Sequence, residues 1–183
     1  LSRGLPSGIS ALTKLTVLYL DNNNLNGSVP EQIGSLINLR YLKLGGNSFS
    51  GIIPKSISNL TNLEELSFGS NKLSGVVPSS ISALTKLTVL YLENNNLNGS
   101  VPEQIGSLVN LKNLHIRSNS FSGRIPKSIS NLTNLERLDL GENRLSRGLP
   151  SGISALTKLT VLYLDNNNLN GSVPEQIGSL INL

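Results

Sequence analysis

Leucine returns at a fixed interval along the whole chain, and the step from Leu15 to Leu39 defines one repeat. The positions are Leu15, Leu39, Leu63, Leu87, Leu111, Leu135, Leu159 and Leu183, and no insertion interrupts the series. The segment that Leu15 opens has the form L-x-x-L-x-L-x-x-N-x-L-x-G-x-V-P-x-x-I-x-x-L-x-x, and the later repeats keep this frame with substitutions such as Phe68 for leucine. A period between about 20 and 50 residues is typical of a solenoid, in which each repeat packs on its neighbours. The pattern therefore predicts a single solenoid domain over residues 1–183.

The start of each repeat has the apolar alternation of a short strand. In the first repeat, Leu18 and Leu20 alternate with three other residues, Val17, Tyr19 and Asp21. Because successive strand side chains point to opposite faces, the leucines should face the core and the other three should face solvent. Strands of successive repeats are expected to stack in parallel, each beginning near its leading leucine.

The complete motif resembles the leucine-rich repeat, and its G-x-[IV]-P half is similar to the plant-type subclass of receptor ectodomains and polygalacturonase inhibitors. This resemblance covers all 183 residues. It implies an α/β-type repeat solenoid, with a parallel sheet of about seven short strands on one face and irregular or 3-10 segments on the other. It also implies that Asn23 and its equivalents form an internal ladder that satisfies backbone groups at the turn.

A second period, three repeats long, is superimposed on the first. Residues 73–111 repeat residues 1–39 with few changes, and residues 145–183 repeat them identically. Such duplication is typical either of recent gene expansion or of deliberate construction. The chain opens and closes within a repeat, at Leu1 and Leu183, without polar caps. We therefore expect a segment of a longer array or of an end-to-end polymer.

One repeat type departs from the consensus at the glycine of the L-x-G segment. Arg3 and Arg147 occupy this position, and glycine follows one place later at Gly4 and Gly148. The shift puts the second short strand of these repeats in doubt.

Composition excludes several functional classes. No apolar run approaches the roughly 20 residues of a membrane span. The net charge of +4 is spread over fifteen basic and eleven acidic residues, without the basic stripe of a nucleic-acid-binding protein. Cysteine is absent, Asp21, Glu93 and Asp165 are three strands apart, and Gly45-Gly46 lacks the lysine of a phosphate site. We expect no metal and no cofactor.

Catalysis has one candidate pair. His115 is the only histidine, and Asp139 follows one repeat later in the same outward column. The two should lie on adjacent strands, about 4.8 Å apart. A hydrolase would also need a nucleophile within hydrogen-bond reach, yet Ser67 is two strands from His115 on the other side. We interpret the pair as an exposed ion pair and expect no enzymatic activity.

Tyrosine and phenylalanine are segregated between the two sides of the predicted strands. All four tyrosines fall at outward positions, whereas all three phenylalanines replace core leucines. Tyrosine supplies both contact area and a polar tip at interfaces, so the outward positions are predicted to bind a partner. The candidate binding residues are Val17, Tyr19, Tyr41, Lys43, Val89, Tyr91, His115, Arg117, Asp139, Val161 and Tyr163.

The outward charges also follow the repeat. Arg40 and Lys112 each precede an acid, Glu64 and Glu136, by one repeat, so lateral ion pairs are expected between neighbouring strands. Exposed pairs of this kind contribute only about 0.2–1 kcal/mol each.

Five N-glycosylation sequons point to secretion. Asn26, Asn98 and Asn170 lie in N-G-S, and Asn59 and Asn131 lie in N-L-T. We expect N-linked carbohydrate on at least one of these two classes, and an extracellular or cell-surface location.

Three functional interpretations remain open. Nearly identical repeats suit a periodic partner, which favours a non-enzymatic structural or scaffold protein that forms or decorates a fibre through multivalent protein contacts. The resemblance and the tyrosines support a receptor- or inhibitor-type module that binds a protein or glycan ligand on the strand face. A row of threonines at the end of each repeat suggests an ice-binding surface, although Ile37 and Val109 interrupt the row.

Overall fold

The computed structural model describes residues 4–183 and divides each repeat into a strand, a second strand and a 3-10 segment. Fourteen strands are present in this region: β1 (Val17–Tyr19), β2 (Asn26–Ser28), β3 (Tyr41–Lys43), β4 (Ser48–Gly51), β5 (Glu65–Ser67), β6 (Lys72–Gly75), β7 (Val89–Tyr91), β8 (Asn96–Ser100), β9 (Asn113–His115), β10 (Ser120–Gly123), β11 (Arg137–Asp139), β12 (Arg144–Arg147), β13 (Val161–Tyr163) and β14 (Asn168–Leu169).

The strands form two parallel sheets of seven strands each. The odd-numbered strands make the first sheet and the even-numbered strands make the second, both in chain order. In the first sheet Val17 pairs with Tyr41 and Leu18 with Leu42, so neighbouring strands are offset by one repeat. The predicted parallel solenoid is confirmed, and the second short strands of the repeats line up into a second sheet.

The first-sheet strands begin two residues after each leading leucine, at Val17 in the first repeat. The amide of Leu15 donates to the carbonyl of Leu12 at 2.9 Å, which closes the preceding turn. The leading leucine therefore still belongs to that turn.

The 3-10 segments each follow a proline. In the first of them, Pro6 has φ −75° and its carbonyl accepts the amide of Ile9 at 3.1 Å. Because the ring fixes φ and removes a donor, proline suits the position just before a helical turn. Eight such segments lie within residues 4–183: Ser7–Ala11, Glu31–Ser35, Lys55–Asn59, Ser79–Ala83, Glu103–Ser107, Lys127–Asn131, Ser151–Ala155 and Glu175–Ser179.

The core is a column of leucines and isoleucines between the two sheets and the 3-10 segments. Leu39, Leu63 and Leu111 are fully enclosed, and Phe49 and Phe68 are enclosed as well. Burying one such side chain contributes roughly 1.5–3 kcal/mol, and here each is covered by the repeats before and after its own. The predicted inward leucines and core phenylalanines are confirmed.

The predicted asparagine ladder is confirmed. Asn47 donates to the carbonyl of Leu20 in the preceding repeat at 2.9 Å and to the carbonyl of Leu44 at 3.0 Å. Its side-chain oxygen accepts the amide of Leu25 at 3.0 Å. Asn95 and Asn143 repeat this arrangement at buried positions. Each amide therefore satisfies backbone groups of two repeats.

The doubt about the second strand of the Arg147 repeat is removed by the structure. Strand β12 runs through Arg147, which pairs with Leu169 of β14. Arg147 reaches this conformation with φ +67°, in the left-handed region where the other repeats use glycine. The equivalent Arg3 lies outside the described residues.

Candidate ligand-binding face

The outward side of the first sheet, here called the strand face, presents three columns of side chains. The first column contains Val17, Tyr41, Glu65, Val89, Asn113, Arg137 and Val161; the second contains Tyr19, Lys43, Ser67, Tyr91, His115, Asp139 and Tyr163; the third, just after the strands, contains Asp21, Gly45, Gly69, Glu93, Arg117, Gly141 and Asp165. Every residue predicted for the binding face lies in one of these columns.

The four tyrosines occupy different environments on the strand face. Tyr19 and Tyr163 are exposed, with 52% and 43% of their surface accessible. Tyr41 donates to Glu64 Oε2 at 2.9 Å, and Tyr91 is half-buried. The rings of Tyr19 and Tyr163 are therefore available for contact near the two ends of the strand face. Tyr41 and Tyr91 already contact neighbouring side chains.

His115 does not form the predicted ion pair with Asp139, although the two residues are paired in register. The imidazole stacks on Tyr91, with ring centroids 4.5 Å apart, and its buried Nε2 has no hydrogen-bond partner. Burial, and then the charge of Arg137, lower the pKa of His115. A neutral ring is therefore favoured, and a neutral ring has no charge with which to form an ion pair.

Asp139 is also buried rather than exposed, with 6% of its surface accessible. Its Oδ1 accepts the backbone amide of Gly141 at 3.1 Å and lies 3.6 Å from Arg117. The carboxylate therefore holds the turn after β11.

Arg117 is the most highly coordinated charge on the strand face. Its guanidinium donates to both carboxylate oxygens of Asp165 at 2.9 and 2.7 Å, and to Glu142 at 2.7 Å. The hydrogen bonds from Arg117 lower the pKa of Asp165. A Cβ at Gly141 would collide with the guanidinium, so the missing side chain there makes room for this bidentate pair.

A depression of about 290 Å³, here called the glycine notch, lies between Asp21 and Glu93. Gly45 and Gly69 form its floor, because neither places a side chain in the third column. The Glu93 carboxylate leans over Gly69, where an added Cβ would collide with it. Its Oε2 is buried without a hydrogen-bond partner, and burial raises the pKa of Glu93.

The predicted lateral ion pairs are present. Arg40 and Glu64 are joined at 2.8 Å, and Lys112 and Glu136 at 3.5 Å. Lys43 adds a third pair, with Glu65 at 2.9 Å, and also lies over the ring of Tyr19 at 4.9 Å. Lys43 is therefore neutralised beside the glycine notch.

Other predicted surface features lie away from the strand face. The five sequon asparagines, Asn26, Asn59, Asn98, Asn131 and Asn170, are all exposed. Thr61, Thr85, Ile37 and Val109 are exposed members of the threonine row. Within residues 4–183, no group of three or more acidic or histidine side chains has the geometry of a metal site. No helix in the same part of the chain is long and apolar enough to cross a membrane.

Sequence reasoning missed the glycine notch. It weighed Asp21 and Glu93 only as metal ligands, and Gly45 only as part of a phosphate loop. The notch would have emerged from aligning the two three-repeat copies, residues 1–72 and 73–144, since Gly45 in the first copy stands where Arg117 stands in the second.

Comparison with known proteins agrees with this architecture. A family profile described as a leucine-rich repeat region matches residues 2–122 and 89–183. Curated protein sequences gave no match.

The crystal structure of a TDR receptor has a TM-score of 0.96 to this chain, with 40% identity over 98% of the chain. The ectodomain of the Arabidopsis thaliana receptor kinase GASSHO1/SCHENGEN3, in complex with CASPARIAN STRIP INTEGRITY FACTOR 2, has a TM-score of 0.97, with 37% identity over 98% of the chain. The matched regions cover only 31% and 22% of those two receptor chains.

A plant ice-binding protein is also similar, with a TM-score of 0.69 and 27% identity over 93% of this chain and 70% of that one. Its lower score shows that the repeat is shared more widely than the detailed shape. The family profile and the receptor structures agree with the repeat motif and with the two parallel sheets described above. The chain therefore belongs to the leucine-rich repeat family and is similar in sequence and fold to plant receptor ectodomains.

Proposed function

We propose that this chain is an extracellular, non-enzymatic recognition module that binds an extended peptide or protein segment across the strand face. The similar receptor ectodomains support it, one of them being described in complex with a named factor. The exposed rings of Tyr19 and Tyr163 supply anchors of the kind that interfaces use.

The proposal depends mainly on the positions at which the two three-repeat copies differ in sequence. Residues 15–38 and 87–110 are almost identical, but the following two repeats change charge or shape at outward strand positions. The changes on the strand face are Tyr41 to Asn113, Lys43 to His115, Gly45 to Arg117, Glu65 to Arg137 and Ser67 to Asp139. The strand face is therefore individual along its length, which suits one irregular ligand.

This individuality weakens the fibre interpretation, which rests on the same patch recurring in every third repeat. Lys43 and Glu65 form an ion pair in the first copy. The equivalent residues in the second copy, His115 and Arg137, cannot form an ion pair with each other because neither is acidic. The comparisons likewise favour recognition over a fibre or scaffold. An ice-binding role has one similar structure in its favour, but Ile37 and Val109 break the threonine row.

A displayed library of random dodecapeptides tests the proposal. Binders selected on the wild-type chain should bind at least tenfold more weakly to Tyr19→Ala or Tyr163→Ala. They should bind normally to Gln32→Ala, which alters an exposed residue outside the strand face. Binders insensitive to both tyrosine variants would contradict recognition by this face. Sedimentation at rising concentration tests the fibre interpretation, which requires growing assemblies.

A further inference from the structure

We propose that the glycine notch binds the guanidinium of an arginine side chain supplied by the ligand, with the carboxylate of Glu93 as its anionic partner and Asp21 at the opposite end of the notch. This deepens the proposed function and rests on it, because it assigns a ligand chemistry to one place on the strand face.

The third column of the strand face differs between the two three-repeat copies. Beginning in the second copy, the column reads Glu93, Arg117, Gly141 and Asp165, so two acids enclose an arginine and a glycine. Beginning in the first copy, it reads Asp21, Gly45, Gly69 and Glu93. The enclosing acids are kept around the glycine notch, but glycine replaces the arginine.

The second copy shows how the chain holds a guanidinium in such a place. Arg117 extends over Gly141, crosses the intervening strand and makes a bidentate contact with Asp165. Asp165 corresponds to Glu93 at the glycine notch, and Gly141 corresponds to Gly69. The equivalent contact in the glycine notch would place a guanidinium against Glu93, whose carboxylate now lies over Gly69.

No cation in the described lining of the glycine notch is paired with Glu93. Lys43 lines it but is paired with Glu65 at 2.9 Å. Glu93 Oε2 is buried without a hydrogen-bond partner. A buried carboxylate oxygen without a partner is costly, and a charge-assisted hydrogen bond from a ligand would remove that cost. Tyr91 also lines the glycine notch, and a guanidinium can stack on an aromatic ring.

Gly45, in the floor of the glycine notch, could accept a side chain of its own at the cost of close contacts. A Cβ at Gly45 would lie 3.1 Å from the Gly69 carbonyl oxygen and 3.4 Å from Ser67 Oγ. These are tight but tolerable contacts, so an arginine at position 45 can be built from the chain itself. Gly45→Arg would copy Arg117 and fill the glycine notch from within.

The test is an NMR titration of the whole chain with N-acetyl-arginine amide, following the backbone amides of Gly45 and Gly69. N-acetyl-citrulline amide, which has nearly the same shape but no charge, is the matched probe. We expect saturable shifts at these two glycines with the arginine probe, and at least tenfold weaker binding of citrulline.

Two variants locate the site. Glu93→Gln should weaken the arginine probe at least tenfold, and Gly45→Arg should abolish saturable binding while the fold is retained, as judged by the remaining amide shifts. Glu136→Gln, which removes an equal charge elsewhere on the same sheet, should bind as wild type does. Equal shifts with citrulline, or binding unchanged by Glu93→Gln, would overturn the proposal.

The outcome is separable from that of the proposed function. Selected peptides that need the tyrosines but are insensitive to Glu93→Gln would keep the recognition proposal and remove the arginine site. Saturable binding of the arginine probe, with no peptide selected on the strand face, would keep the arginine site and remove the recognition proposal.

Discussion

Arg117 and Asp165 lie two repeats apart in the sequence, yet they form a bidentate ion pair across Gly141. Two strand-to-strand steps separate them along the sheet, so the contact skips the repeat between them. Most contacts in a solenoid join adjacent repeats, whereas this pair joins two repeats that are separated by a third. The absent side chain of Gly141 is what allows it.

Gly141→Ala should break this contact, because the new methyl group would occupy the place of the guanidinium. Both groups are exposed to solvent, so the expected loss of stability is small. A double-mutant cycle with Asp165→Asn, read by urea unfolding, measures the coupling. Additive effects of the two substitutions would show that the glycine does not serve the pair.

Asn95→Ala should destabilise the chain by about 2–4 kcal/mol, because several buried backbone groups would lose their partner. Asn95 accepts the amide of Leu73 at 2.9 Å and donates to the carbonyl of Phe68 at 3.0 Å. The control is Asn23→Ala, an exposed member of the same ladder, with an expected cost below about 1 kcal/mol. Equal shifts of the urea midpoint for the two variants would contradict the role of burial.

Arg147→Gly should stabilise the chain by about 0.5–1 kcal/mol. Glycine relieves the backbone strain of the left-handed conformation at φ +67°, which stabilises the folded state. Glycine also makes the unfolded chain more flexible, which lowers stability, but by a smaller amount. Gly51→Ala is the converse change at the equivalent position, where φ is +79° and the nearest atom is 3.7 Å from the added Cβ. It should destabilise. Thermal or urea unfolding of both variants checks the opposite signs.

Glu93→Gln should stabilise the free protein at pH 7 by about 1 kcal/mol. Burial raises the pKa of Glu93, so the folded state binds this proton more tightly than the unfolded state does. The wild type therefore loses stability relative to Glu93→Gln as pH rises from the ordinary glutamate pKa through the raised one. Urea midpoints of both proteins across pH 4 to 8 measure this difference, with Glu136→Gln as the exposed control.

Other charged groups surround Glu93. The charge of Asp139 adds to the upward shift of the pKa, and Asp21, Lys43, Glu65 and Tyr91 line the same notch as Glu93. Lys43 and Arg117 are held by other acids. A Glu93→Gln variant less stable than wild type at pH 7 would show that the carboxylate is compensated after all.

Glycosylation should follow the repeat class. Asn59 and Asn131 each close a 3-10 segment, so native material should carry carbohydrate on both or on neither. Asn26, Asn98 and Asn170 should likewise behave alike. Mass spectrometry of native peptides decides this, with Asn38 as an exposed asparagine outside any sequon. Bare asparagines at all five sequons would remove the glycan prediction.

The repeat frame made most of the fold predictable. The fixed period placed Leu39 and its equivalents on the inner side of every repeat, where they are buried. The same period placed Asn47 and its equivalents where they hydrogen-bond to backbone groups of the turn. The Arg147 strand was harder to predict, because the neighbouring strands impose on Arg147 a backbone conformation that arginine disfavours by itself.

The candidate site was less predictable than the fold. Column membership placed His115 next to Asp139 correctly, but it did not show that Tyr91 stacks on the imidazole. The glycine notch depends on side chains that are missing, and a motif search looks for side chains that are present. Which way Glu93 leans is decided by packing, and no spacing rule contains that information.

The asparagine ladder also governs how such a chain can change its length. Each ladder amide bonds to one repeat behind it and to its own turn, so every link has the same spacing. Copying a whole number of repeats leaves all links intact, whereas inserting one residue would misalign every link that crosses the insertion. The solenoid can thus be lengthened in whole units without redesign, and each new copy gains an outward surface whose residues are free to diverge.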